Sequence, residues 1–126
     1  EAARGRTFVA MHPSTPLEIT LVEFPSTSMS ATSEFLQAVC GWTPTVYGQS
    51  YTHLFGGGID VGVQGDAHEQ SPAPLMVIRV ADLDEARARV EAAGGTVTFG
   101  PFDFTGGRRF HFREPGGNEM AMWVPA

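Results

Sequence analysis

The sequence predicts an α+β fold made of two copies of one module, each running strand, helix, three strands. Three observations predict it. Period-2 alternation of apolar residues appears in short runs, each closed by Gly, Pro or Ser. Only two stretches carry helical spacing with start and stop signals. The order of elements after residue 75 repeats the order before residue 64.

The first strand is read over Leu17–Phe24, where Leu17, Ile19, Leu21 and Glu23 share one face and Val22 and Phe24 the other. Pro25 ends it, because proline cannot donate to a ladder. Ser26, Thr27 and Ser28 offer N-cap side chains for a helix over Met29–Cys40. In that helix Phe35, Leu36 and Val39 form a narrow apolar stripe, and Gly41 stops it. Thr45–Tyr47 and Ser50–Phe55 read as a hairpin around Gly48-Gln49. Gly56-Gly57-Gly58 leads into a strand at Ile59–Val63. It is no phosphate loop, since no Lys-Ser/Thr follows and no helix starts there; its expected use is close approach of a strand or ligand. Residues 65–74 are polar with two prolines and are read as a linker.

The second copy begins with a strand at Leu75–Val80. Asp82 caps a helix over Leu83–Ala93, with Leu83, Ala86 and Val90 at helical spacing and Gly94-Gly95 as its left-handed stop. Strands follow at Thr96–Phe99, Arg108–Arg113 and Asn118–Val124, the last two joined by the turn Glu114–Gly117. Three local matches tie the copies together: Val22–Phe24 with Ile78–Val80, Gly48–His53 with Gly106–His111, and Asp60–Val63 with Glu119–Met122. The chain is therefore divided into a tail over residues 1–15, which has no apolar core of signal-peptide length, a module over 16–64, the linker, and a module over 75–126, in one domain.

The 126 residues carry 8 basic and 14 acidic side chains, a net charge of −6, with 42% hydrophobic content. That suffices for one buried core. The acidic balance argues against nucleic acid or an anionic membrane as partner. No apolar run approaches the roughly 20 residues of a membrane span. The single cysteine, Cys40, excludes an internal disulfide and a Cys-rich zinc site, so a cytoplasmic protein is expected. Cys40 itself reads as a small buried hydrophobe.

Val80–Gly95, then Arg109–Asn118 and Met122–Pro125, resemble the glyoxalase / bleomycin-resistance / extradiol-dioxygenase superfamily, also called vicinal oxygen chelate proteins. The first half is similar too: Val22–Pro25, then Glu34–Trp42 with its closing Gly-Trp. The resemblance covers residues 16–125. It implies paired βαβββ modules whose mixed sheets curl around a shared ligand cleft, and, because many members dimerise, a homodimer.

The resemblance also implies where a divalent metal would be held by His and Glu side chains on the concave faces. The first-strand position, four residues before Pro25, is Leu21; the position opening module two is Leu75; the position three after Asn118 is Ala121. None has a lone pair to give a metal, and such sites need several N or O donors. The expected cofactor is therefore none. Strand alternation puts Glu23 on the face of Leu21, Arg79 on that of Leu75, and Glu119 and Trp123 on that of Ala121. Glu23 and Arg79 match between modules; they read either as an internal ion pair closing the sheets or as ligand contacts. Glu23 beside Leu21 is also a candidate base.

His53 and His111 match by the repeat, as do Asp60 and Glu119. They read as a proton-handling or replacement-metal set, or as packing histidines and solvated rim carboxylates. His12 and His68 are expected in solvent. Arg108 and Arg109 read as anion contacts or as solvated guards of an edge strand. The ligand-binding set is thus Leu21, Glu23, His53, Asp60, Leu75, Arg79, His111, Glu119, Ala121 and Trp123. The functional expectation is a metal-free protein that binds a small neutral or cationic molecule in the cleft. Two alternatives remain: an enzyme (lyase, isomerase or oxygenase) with an atypical metal site or metal-free acid–base chemistry on Glu23, or an interaction module whose cavity is closed.

Overall fold

In the computed structural model, which describes residues 17–126, β1 (Glu18–Pro25) lies near the centre of an eight-stranded mixed sheet. The first module continues with α1 (Met29–Cys40), β2 (Thr43–Tyr47), β3 (Tyr51–Phe55) and β4 (Asp60–Gln64). The second comprises β5 (Leu75–Arg79), α2 (Leu83–Ala92), β6 (Thr96–Phe104), β7 (Gly107–Arg113) and β8 (Glu119–Pro125). The strand order is β2-β3-β4-β1-β5-β8-β7-β6. Within each module the first strand pairs parallel with the last, and β1 pairs antiparallel with β5 to join the halves. This is the paired βαβββ architecture the sequence predicts. Residues 1–16, which include the predicted tail and His12, lie outside the described residues.

Alternation divides the sheet cleanly. One face is covered by the helices. Under α1, Leu54, Val61 and Val63 pack with Phe24, Met29, Leu36 and Trp42. Under α2, Phe110, Phe112, Val80, Leu83 and Ala86 pack with Ile78, Val90, Met120 and Met122. The other face carries no helix. It holds a separate apolar cluster of Leu75, Val77 and Ala121 flanked by Leu21 and Trp123.

Several local expectations change. A register shift between Ile19 and Leu21 inserts Thr20 into β1. The bulge turns the phase of the strand, so Ile19 sits opposite Ile78 on the helix-bearing face and not with Leu21. Strand β6 runs five residues past Phe99: one register shift falls between Val97 and Phe99, a second between Phe99 and Phe102 spans Gly100 and Pro101, and the proline is tolerated because β6 is the sheet's edge. In α1 only Leu36 of the predicted stripe reaches the core; Phe35 is 64% and Val39 66% exposed. Cys40 is exposed, not buried, because it ends that loosely covered helix.

The caps follow the sequence with one substitution of roles. Gly41 closes α1 in the left-handed region (φ 72°), and the Asp82 side chain accepts from the Glu85 N–H at the start of α2 (3.0 Å). At α1, however, Ser28 makes no side-chain cap; Ser26 Oγ accepts from the Ser28 N–H instead. The glycine run admits an aromatic ring: a Cβ on Gly57 would stand 2.9 Å from the Trp42 indole. His68 is exposed on the 65–74 connection, as expected.

Candidate functional site

The helix-free face gathers all ten residues of the predicted binding set. Glu23 is paired across to Leu75 on one side and Gly62 on the other, and Gly62 to His53. Leu21 is paired to Asp60 and Val77, and Val77 to Ala121. Arg79 is paired to Trp123, with Ala121 and Glu119 following by alternation on β8. Leu21, Leu75 and Ala121 pack together, with Leu75 and Ala121 fully buried.

The ion pair at this face differs from the expected one. Glu23 bonds Arg109, not Arg79: Arg109 Nη2 lies 3.1 Å from Glu23 Oε1 and Nη1 3.5 Å from Oε2. The Tyr51 hydroxyl donates to the same Oε2 at 2.9 Å. Antiparallel pairing explains the failure of the Glu23–Arg79 expectation, since residues that match in the two modules move to opposite ends of the β1–β5 ladder. Arg79 is therefore paired to Glu18, is exposed, and lies with its guanidinium 5.9 Å from the Trp123 ring.

The Glu23–Arg109 contact also reports the shape of the sheet. β1 and β7 are three strand spacings apart, about 14 Å in a flat sheet. Two side chains meet across that span only if the sheet curls around the helix-free face. Both partners are out of water, Glu23 at 4% and Arg109 at 9% exposure. The expectation of Arg109 as a solvated guard is overturned: Phe110 and Phe112 fix the phase of β7 by packing under α2, which turns Arg109 and His111 inward. Arg108 keeps the exposed role, 3.5 Å from Asp103. Both oxygens of Glu23 thus accept hydrogen bonds within the protein.

The two histidines each join the carboxylate of their own module. His53 Nε2 lies 3.1 Å from Asp60 Oδ2, and its ring stacks on Phe55. His111 Nδ1 lies 3.5 Å from Glu119 Oε2, which also accepts from the Thr98 hydroxyl at 3.0 Å. The pairs are not equal. His53 is partly open to solvent, whereas His111 is 4% exposed, beside Phe99 and Phe102. Burial pushes the His111 imidazole below its ordinary value of 6.5, helped by the Arg109 charge and opposed by Glu119 and Glu23. Burial likewise raises the Tyr51 phenol far above its ordinary value, reinforced by the Glu23 charge, so it stays a donor.

Two polar atoms of this corner, Arg109 Nε and His111 Nε2, are buried without a partner. Two hollows of about 530 and 510 Å³ lie elsewhere, against α2 and beside β6 at Thr96–Gly100; neither is lined by the Glu23–Arg109–His111 group. Among the described residues no group of three His, Cys, Asp or Glu side chains is placed to hold a metal ion. The residues at the three inferred ligand positions do not fit one either: they make an apolar cluster. Thr98 and Phe102 fall outside the predicted binding set, as do Tyr51 and Arg109, the last of which the sequence offers only as an anion contact or an edge guard. The signal for Tyr51 and Arg109 was present in the repeat, since Tyr51 precedes His53 by two residues as Arg109 precedes His111.

The sequence matches the Glyoxalase/Bleomycin resistance protein/Dioxygenase superfamily over residues 3–122. The chain belongs to that superfamily. It is similar to an uncharacterized protein of Mycolicibacterium smegmatis, 29% identical over 79 residues, covering 62% of this chain and 68% of that one. Its fold is that of a superfamily member from Vibrio splendidus (TM-score 0.64, 13% identity, 88% of this chain and 99% of that one). It is also that of the methylmalonyl-CoA epimerase of Mycobacterium tuberculosis (TM-score 0.62, 16% identity, 84% and 86%). The Mn(II)-bound glyoxalase of Novosphingobium aromaticivorans matches at TM-score 0.67 and 21% identity, over 87% of this chain and 40% of that longer one. At these identities the shared property is the fold, which hosts unrelated chemistries.

Proposed function

We propose that this protein is a metal-free member of the superfamily that binds a small neutral or cationic molecule on the helix-free face, in the cleft between its modules. One observation carries the reading: the three positions where the resemblance places metal donors are Leu21, Leu75 and Ala121, and these side chains pack against one another with Val77 and Trp123. An apolar floor beside a few fixed polar groups is the usual composition of a small-molecule site. The negative chain, with Glu23 already neutralised by Arg109 and with Asp60 and Glu119 remaining, favours neutral or cationic ligands over anions. The protein is read as cytoplasmic and as a homodimer, the latter checked by light scattering. Among the described residues no helix is long and apolar enough to cross a membrane.

The test pairs metal analysis with a thermal-shift screen. Purified protein is expected to hold no stoichiometric Zn²⁺, Mn²⁺, Fe²⁺ or Ni²⁺, and its Tm to be indifferent to these ions and to chelator. A small ligand present at 100 times its Kd adds about 2.7 kcal/mol of stability. Stoichiometric metal at a protein-derived site overturns the reading, and so does the absence of any stabilising compound in a broad library.

A further inference from the structure

The corner formed by β6, β7 and β8 has a hydrogen-bond pattern of its own. Arg109 and His111 are both more than nine-tenths buried, on the same face of β7, and each keeps one buried atom without a partner. Such orphans are rare in folded proteins because each costs its lost hydration. Arg109 Nε is a donor and nothing else. The character of His111 Nε2 follows from its other nitrogen. Nδ1 faces the carboxylate of Glu119, which only accepts, so Nδ1 carries the proton and Nε2 presents a lone pair. The Thr98 hydroxyl donates to the same Glu119 oxygen at 3.0 Å and helps hold it in place. The corner thus displays one donor and one acceptor, side by side.

Aromatic rings frame the pair. Phe102 is 5.6 Å from the Arg109 guanidinium and 5.9 Å from the His111 ring, between centroids. Phe99 meets His111 edge-on at 5.7 Å, and Phe104 lies 5.7 Å from the guanidinium. Phe99 is 52% and Phe104 38% exposed, and the strand bearing all three is an edge strand broken by two register shifts. A flat ligand that reached this pair would pass between these rings, on an edge of the sheet.

We propose, on the reading that this face takes a small molecule, that the corner recognises the edge of a neutral lactam or cis secondary amide in a planar ring. Its carbonyl accepts from Arg109 Nε–H, its N–H donates to His111 Nε2, and its flat body lies among Phe99, Phe102 and Phe104. The corner calls for one acceptor and one donor, and an amide edge supplies them on two separate atoms roughly 2.3 Å apart, whereas a hydroxyl must serve both partners from a single oxygen. Charge selects in the same direction: Glu23 cancels Arg109 while Glu119 remains, so an anion is repelled, and the free Arg109 donor needs a ligand acceptor that a simple ammonium lacks.

The experiment uses the whole chain with 2-quinolone and its N-methyl derivative, followed by ligand fluorescence and ligand-observed NMR. The two share shape and carbonyl but differ in the N–H. 2-Quinolone is expected to bind at least tenfold more tightly, and His111→Leu to abolish the difference. Arg109→Lys, which keeps a cation beside Glu23 but removes the Nε–H, is expected to weaken 2-quinolone at least tenfold with an unchanged far-ultraviolet spectrum, and it carries the test if His111→Leu does not fold. Phe99→Ala, at an exposed position, weakens both compounds equally. Equal affinity of the two quinolones, or failure of both to bind, overturns the inference. If both fail while other library compounds stabilise the protein, small-molecule binding stands and the lactam assignment alone falls.

Discussion

Replacing Arg109 by Met removes the cation from beside a carboxylate that is 4% exposed. Glu23 then keeps only the Tyr51 hydroxyl at 2.9 Å, and its Oε1 loses the 3.1 Å partner. Breaking a buried pair from one side costs about 3–5 kcal/mol, because the remaining charge is stranded in a poorly polarisable interior. For a domain of this size that corresponds to a fall in Tm of roughly 10–20 °C. Removing both charges is different in kind. In Glu23→Gln/Arg109→Met the amide oxygen still accepts from Tyr51, and no ion remains to be solvated, so the double variant recovers most of the loss. Urea denaturation of the wild type, both single variants and the double variant closes the cycle. The reasoning is refuted if Arg109→Met costs under about 1 kcal/mol, or if the double variant is no more stable than Arg109→Met alone.

Stability is expected to drop on acidification through His111. Its folded-state value lies below 6.5, so the unfolded chain takes up the proton first. The loss begins as the pH falls past about 6.5, ends below the folded value, and is absent in His111→Leu; pH-resolved denaturation reads it. Gly62→Ala sets a Cβ 2.7 Å from Tyr51 Cζ and against its hydroxyl, displacing the phenol from Glu23. It is expected to cost about 1–3 kcal/mol, and less in a Tyr51→Val background, in a non-additive cycle. Leu54→Ala, at a fully buried position under α1, costs about 2–5 kcal/mol. Phe35→Ser, 64% exposed on the same module, stays within about 0.5 kcal/mol; equal losses at the two sites would refute the assignment of the core.

Alternation and repetition made much of this molecule legible in advance. Period-2 patterning separates Val61 and Val63 from Asp60 and Gly62, and Phe110 and Phe112 from Arg109 and His111, because a strand offers its side chains to only two faces. The duplicated order of elements, with Gly41 and Asp82 at helix ends, supplied the module. The same repeat matches His53 with His111 and Asp60 with Glu119, and the fold sets each histidine beside the carboxylate of its own module. The apolar residues at the inferred metal positions were likewise readable one by one.

What lay beyond the sequence depended on register and curvature. A single extra residue at Thr20 moved Ile19 to the opposite face, since a bulge shifts phase without leaving a pattern in hydrophobicity. Pro101 hid the continuation of β6, which an edge can tolerate and a central strand cannot. The partner of Glu23 was decided by curl: Arg109 is 86 residues away in the chain and three strands away in the sheet, and no local spacing encodes that meeting. The sequence determined two modules, their faces and the apolar residues at the positions where the resemblance places metal donors. The tertiary structure alone decided that Tyr51 and Arg109 both bond Glu23 and that His111 Nε2 is buried without a partner, because only closure of the sheet brings β1, β3 and β7 over one another.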